Sequence, residues 1–325
     1  MRGVVALFLL LGLLSSAPPA AEAQPAKVPR IGFLGAASAS GYAPQLKAFR
    51  EGLRDLGYVE GKNIAIEYRW AGGKHDRLAG LAAELVRLKV DVLVTHGTPG
   101  TRAAKQATST IPIVMAVSGD AVATGLVASI ARPGGNLTGS TFFNPELAAK
   151  RLELLKEAVP RITRVAVLLN PDNPVNGPVL QAIEATARAL KVEVPQFEAR
   201  GPSDFEGAFS AMAKRRIGAL LIIEDGILVA NARGVADLAA KKRLPSAGFR
   251  EFAEAGALVG YGVNFPEMFR RAAVFVDKIL KGAKPGELPV EQATRFELVV
   301  NLKTAKTLGL RIPKPVLVRA DTLIE

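Results

Sequence analysis

The stretch THGTPGTRAAK, residues 95–105, follows an apolar run, VDVLV, and reads as a strand end turning into a helix. Small residues at such a turn suit three chemistries: a phosphate cradle, a nucleophile elbow, or one wall of a solute pocket. The cradle needs G-x-x-x-x-G-K-[ST], and GTPGTRAAK lacks its Gly-Lys-Ser/Thr end. No G-x-G-x-x-G follows the first strand either. The elbow needs G-x-S-x-G. Ser118 in AVSGDA comes nearest and lacks the first Gly. The chain has two histidines, His75 and His96, and no local signature ties either one to a serine. His75, in polar GGKHD, reads as part of a solvated loop or helix start. His96 reads as a hydrogen-bonded side chain at a strand end. With no cysteine and two distant histidines, a metal site would rest on scattered carboxylates. No catalytic residue, metal or cofactor is expected.

Binding remains. Gly97, Thr98 and Pro99 are suited to the start of a helix: Thr98 can cap it, and proline fits the first turn. Free N–H groups and a partial positive charge then face outward, which suits a carboxylate. Capping without any ligand accounts for the same residues. Another strand end, EDG at 224–226, carries acidic side chains. Asp225 can take an ammonium group in a charge-assisted hydrogen bond, or it can cap the next helix. A carboxylate held at one strand end and an ammonium at the other describe an amino acid. Tyr42, Phe142, Phe249 and Tyr261 fall at expected loop or hinge positions, where they can form apolar walls or belong to the core.

The elements that must position these residues occur in two parallel series. RIGFLG is a short apolar strand, and Leu46, Phe49, Leu53 and Leu56 then mark one face of a helix that ends at Gly57. NIAIEYRW alternates as a strand, and a second helix, the strand VDVLVTHG, a third helix and the strand IPIVMAV follow. The pattern restarts at Arg164 with RVAVLLN. It runs through a helix on Val179, Ile183, Ala187 and Leu190, the strand VEVPQFEA, a capping box at Ser203–Glu206, the strand IGALLIIED and a helix over 229–243. Short apolar strands alternating with helices imply α/β architecture: two doubly wound parallel sheets, each covered on both faces. Right-handed crossovers place the strand carboxyl ends along one edge, where ligands bind. Two such lobes enclose a cleft. The expected division is 28–140 plus 264–288 for the first lobe and 141–263 plus 289–325 for the second.

The N-terminus indicates export. A positive start, the apolar run at 4–14 and the small-residue site Ala21-Glu22-Ala23 read as a signal peptide over 1–23, cut after Ala23. A lipid anchor would need a cysteine, so a soluble periplasmic protein is expected. Hydrophobic residues make up 49% of the chain, enough for large cores without disulfides. The formal charge of +12 is spread along helix faces, with AKKR and KRR the densest runs and no interleaved aromatics. This reads as a solvated surface rather than a nucleic-acid interface.

Four segments in order, GLRDLGYVEGKNIAIEYRWAGG, IPIVMAVSGDAVATGLVASIARPGGNLTG, RLELLKEAVPRITRVAVLLNP and FELVVNLKTAKTLGLRIP, resemble the ABC-transporter substrate-binding family that includes tryptophan- and aromatic-amino-acid-binding proteins. The resemblance implies a type I periplasmic-binding-protein fold whose lobes, joined by three crossovers, close over a small solute and dock on a membrane permease. It implies ligand contacts around Ser38, at Gly97–Pro99, from Ser118 to Asp120, and around Phe142, Asn173 and Asp225. The chain departs from the family pattern at EDGILV, where an Asp-Asn-Thr-like run is usual, and at AASASGYAP, where other members carry His-Pro. The implied partners are a solute and a permease, with no nucleic acid and the chain acting as a monomer. A sensory module on the same fold, docking on a receptor, is the alternative. A secreted α/β hydrolase would need His96 beside a serine and an oxyanion hole.

Overall fold

The computed structural model describes residues 27–325; the expected signal peptide lies outside them. The first lobe begins with β1 (Arg30–Gly35), α1 (Ala43–Asp55), β2 (Ala65–Trp70), α2 (Leu78–Arg87), β3 (Val92–Thr95), α3 (Gly97–Ala107), β4 (Ile113–Gly119) and β5 (Leu137–Phe142). The chain then crosses into α4 (Asn144–Ala158), β6 (Val165–Leu169), α5 (Asn176–Leu190), β7 (Gln196–Glu198), α6 (Pro202–Lys214) and β8 (Ala219–Ile222). The second lobe continues with α7 (Gly226–Ala230), α8 (Ala232–Lys241), β9 (Ser246–Gly248), α9 (Arg250–Glu254) and β10 (Val259–Gly262). The return passage carries α10 (Phe265–Leu280) and β11 (Glu291–Gln292), and the chain ends with β12 (Glu297–Asn301), α11 (Leu302–Leu308), α12 (Lys314–Arg319) and β13 (Thr322–Ile324).

The repeat seen in the sequence is a repeat of topology. The first sheet runs β11-β5-β4-β3-β1-β2 and the second β13-β12-β10-β9-β8-β6-β7. Thus β2-β1-β3-β4 and β7-β6-β8-β9 share one order. Central strands β1, β3, β4, β6 and β8 are apolar almost throughout and buried, as strands covered by helices on both faces must be. All pairings in the first sheet are parallel. The second sheet departs at one place, where β12 runs antiparallel to β10.

The chain passes between lobes three times: after β5, after β10 and after β11. The boundary expected between 140 and 141 cuts β5, whose Thr141 and Phe142 still pair with β4. The boundary expected between 288 and 289 precedes β11, which pairs with β5 in the first sheet. Those end residues are too few to show a strand period, and only their backbone partners assign them.

Three local expectations give way to tertiary context. The helix expected over 229–243 is two helices, broken at Asn231. The Ser203 capping box does not form, because Pro202 starts α6 one residue earlier with Gly201 as its cap, and the Ser203 hydroxyl bonds Asp204 instead. Likewise α3 is capped at His96, and no side chain makes the cap bond. Among the described residues, no helix is long and apolar enough to cross a membrane.

Candidate functional site

The strand carboxyl ends of both sheets converge on one cleft. From the first lobe the loop after β1 brings Tyr42, the turn after β3 brings His96–Pro99, and the end of β4 brings Val117–Gly119. From the second lobe come Asn173 and Val175 after β6 and Glu224–Gly226 after β8. Phe142 and Asn144 flank the first crossover, and Phe265 and Phe269 of α10 close the back. The space between these residues, open solvent included, is about 490 Å³.

The lobes meet around it. Tyr42 Oη donates to the Gly226 carbonyl at 3.1 Å, joining the loop after β1 to α7. The Tyr42 ring lies 4.1 Å from that of His96, centroid to centroid. Burial, the Asp225 carboxylate and that of Glu251 all push the Tyr42 phenol well above its ordinary value, so it stays a neutral donor. His96 is buried, and desolvation, with a smaller effect of nearby His75, lowers its pKa from 6.5 to about 3. It is therefore a neutral imidazole at physiological pH, and its Nε2 has no partner among the described residues.

Gly97 turns the chain from β3 into α3 at φ +69, a conformation that favours glycine. Pro99 has no N–H, so the free donors of this first turn beside the cavity are the N–H groups of Gly97 and Thr98. Thr98 does not act as the expected cap. Its hydroxyl lies 3.2 Å from that of Ser118, joining the ends of β3 and β4 beneath the cavity.

Of the two roles that its sequence position left open, Asp225 takes the helix cap. Its Oδ1 caps α7 by accepting from Ile227 N at 2.8 Å and also accepts from Asn170 Nδ2 at 3.3 Å. Its Oδ2 accepts from Asn173 Nδ2 at 3.1 Å. An ionised carboxylate has about four acceptor positions, so one remains for a further donor. His75, expected in a solvated loop or at a helix start, opens the short 3-10 helix His75–Arg77 and faces this carboxylate from the other lobe, with Nε2 at 3.8 Å. Both histidines of the chain therefore stand at the cleft. Glu224 is already committed, because its two oxygens take a bidentate pair from the fully buried Arg151.

Eight of the twelve residues expected at the site line this cavity: Tyr42, Gly97, Thr98, Pro99, Ser118, Phe142, Asn173 and Asp225. The other four lie elsewhere. Ser38 is exposed and accepts from Gly41 N, so it shapes the loop after β1. Asp120 accepts from Ala123 N and holds the turn after β4. Phe249 is buried one layer behind the wall, against Phe252 and Phe265. Tyr261 packs on Phe296, and its carbonyl accepts from Arg151 Nε. Sequence reasoning missed Asn144, Phe265, Phe269 and the Arg151–Glu224 pair. Phe265 and Phe269 share the helical spacing of ordinary core residues. Nothing local to Arg151 names a partner seventy-three positions away.

The chain is 27% identical over 266 residues to the tyrosine-binding protein of Clostridioides difficile, covering 82% of this chain and 76% of that one. It superposes on a conserved domain protein from Vibrio cholerae O1 biovar El Tor with a TM-score of 0.83 and 28% identity, covering 91% of this chain and 100% of the other. An ABC domain from Streptococcus pneumoniae, solved in complex with L-Trp, gives a TM-score of 0.80 and 25% identity, over 90% of this chain and 100% of that one. The family model for ABC transporter substrate binding proteins matches residues 35–324.

Proposed function

The chain belongs to the ABC-transporter substrate-binding protein family, and from that premise we propose that it captures an amino acid, or a related carboxylate, between its lobes and delivers it to a membrane permease for import. One observation carries the reading. The N–H groups that open α3 and the Asp225 carboxylate belong to different lobes and border one cavity. A carboxylate suits the first and an ammonium the second, and every α-amino acid carries these two groups on one carbon.

Aromatic walls at Tyr42, Phe142, Phe265 and Phe269 favour an aromatic side chain, the class named by the tyrosine-binding relative and the structure solved with L-Trp. In this reading Gly97, Thr98 and Ser118 take the carboxylate, Asn173 steadies Asp225, and Pro99 keeps the α3 turn open. Ser38, Asp120, Phe249 and Tyr261 shape the surrounding elements. Neither half site alone holds both charges, so solute favours the closed arrangement. Residues 1–23 act as the export signal, and the chain works in the periplasm as a monomer.

The test is a thermal-shift screen of the chain from Gln24, unfolded and refolded to strip bound solute, against amino acids, aromatic acids, nucleosides and small amides. A solute at about 100 times its dissociation constant adds about 2.7 kcal/mol to the folded state, a readable rise in melting temperature. A selective rise with aromatic amino acids is expected. Rises confined to carboxylates without an amine would retire the role of Asp225, and no rise with any amino acid or aromatic acid would defeat the reading.

A further inference from the structure

The cavity wall holds an imidazole to which the reading above gives no task. His96 is 2% exposed and lines the cavity, and its Nε2 has no hydrogen-bond partner among the described residues. A buried polar atom without a partner is unfavourable. An apolar ring in the same place, against the Tyr42 ring 4.1 Å away, would leave nothing unpaired. Burial lowers the His96 pKa to about 3, so the ring stays neutral and one of its nitrogens is a hydrogen-bond acceptor.

Its place between the lobes decides which solute group it can meet. His96 directly precedes Gly97, whose N–H belongs to the carboxylate side. Its Cε1 is turned to the other lobe, where a Cβ on Gly226 would lie 3.6 Å from it. Cε1 is bonded to both ring nitrogens, so Nε2 belongs to this edge. Gly226 directly follows Asp225 and carries no side chain to cover the edge. The imidazole thus stands between the two anchors, and the solute's carboxylate and ammonium share one carbon. A primary ammonium has three N–H donors to place. Asp225 has one acceptor position left, because His75 Nε2 comes only to 3.8 Å of its Oδ2, beyond hydrogen-bond reach. Glu224 is taken by Arg151. A second acceptor has to come from elsewhere on this wall.

We propose that His96 is a binding residue for the solute's α-ammonium: its acceptor nitrogen takes one N–H while Asp225 takes another, and together they select solutes with a free amine. An analogue without the amine would bury the imidazole unpaired, and sites built to bond an N–H reject the analogue that lacks it. This proposal deepens the amino-acid reading above and rests on its placement of the charged groups.

The experiment measures dissociation constants calorimetrically for tyrosine and for hydroxyphenylpropionate, the same molecule without its amine, in the parent chain and in His96→Phe. In the parent, tyrosine should bind about 100-fold tighter or more, since two hydrogen bonds to a charged group are at stake. In His96→Phe that ratio should fall about tenfold or more, with hydroxyphenylpropionate binding at least as well as before, because no imidazole is left unpaired. Retained binding of hydroxyphenylpropionate also shows that the variant folds. The smaller side chain of His96→Leu carries the same test should the phenyl ring not fit. An unchanged ratio in the variant would overturn the role of His96 and leave the amino-acid reading standing. Equal losses for both ligands would do the same, since His96 would then serve the packing or the carboxylate. Equal affinities in the parent would overturn the role of His96 and leave a carboxylate solute whose amine is not recognised. Failure of both ligands to bind the parent would overturn the role of His96 and the aromatic amino-acid reading together.

Discussion

Arg151→Met should destabilise the second lobe far more than the loss of one surface charge would. The Arg151 side chain is fully buried, both its terminal nitrogens meet Glu224, and its Nε donates to the Tyr261 carbonyl at 2.6 Å. It thereby ties α4 to β10 and to the turn that carries Asp225. The fit is close: Gly262, at φ +156, leaves no room for a Cβ, which would lie 2.8 Å from the guanidinium. Methionine would leave Glu224, whose side chain is 6% exposed, as a buried carboxylate without its partner. Breaking a buried pair from one side costs about 3–5 kcal/mol. At roughly 2–4 °C per kcal/mol for a protein of this size class, melting should fall by about 6–20 °C. Urea unfolding followed by circular dichroism reads the free energy directly. Replacing both partners, as Arg151→Met with Glu224→Leu, should recover much of the loss, because an apolar pair has no charge to desolvate. A single variant within about 1 kcal/mol of the parent would place the pair among weak surface contacts. A double variant no more stable than the single would show that packing, not the stranded charge, sets the cost.

Burial pushes the Glu251 carboxyl from 4.5 up to about 7, although its Oε1 accepts from Phe265 N. Between those values the folded state keeps a proton that the unfolded chain has released, so this residue's contribution to stability falls as pH rises through the window. Glu251→Gln should match the parent near pH 4 and exceed it by about 3 kcal/mol near pH 8, as measured by urea unfolding. The same difference at both pH values would refute the assignment. Asp225→Asn should weaken binding of an amino acid by about 10–100-fold while changing little for the analogue without the amine, since bonds to charged groups contribute about 1.5–3 kcal/mol. Calorimetry on the two ligands checks this, and an equal loss for both would mean that Asp225 serves only the cap of α7.

The architecture was legible because it is written in short-range patterns. Apolar runs such as VAVLL and ALLI, helix faces at three- and four-residue spacing, and their double recurrence are local properties of the chain. They require covered parallel sheets, and the sheets require a cleft at the strand ends, which brings Gly97, Thr98 and Asp225 to one cavity; Ser118 and Asn173, which line it too, were implied by the family resemblance. Tertiary structure decided what each side chain meets there. Ser38 and Asp120 sit at strand ends like the others, yet they spend their oxygens on neighbouring backbone, which proximity along the chain makes cheap. Thr98 bonds Ser118 instead of capping α3, Glu224 is neutralised from α4, and His75 crosses to the other lobe's carboxylate. Each of these depends on the distance between atoms far apart in sequence, and no local propensity encodes that distance. The sequence by itself determined two lobes and the edge on which they bind. Only the packing of one lobe against the other decided which polar groups are already satisfied and which, like Nε2 of His96, are left without a partner at the cavity.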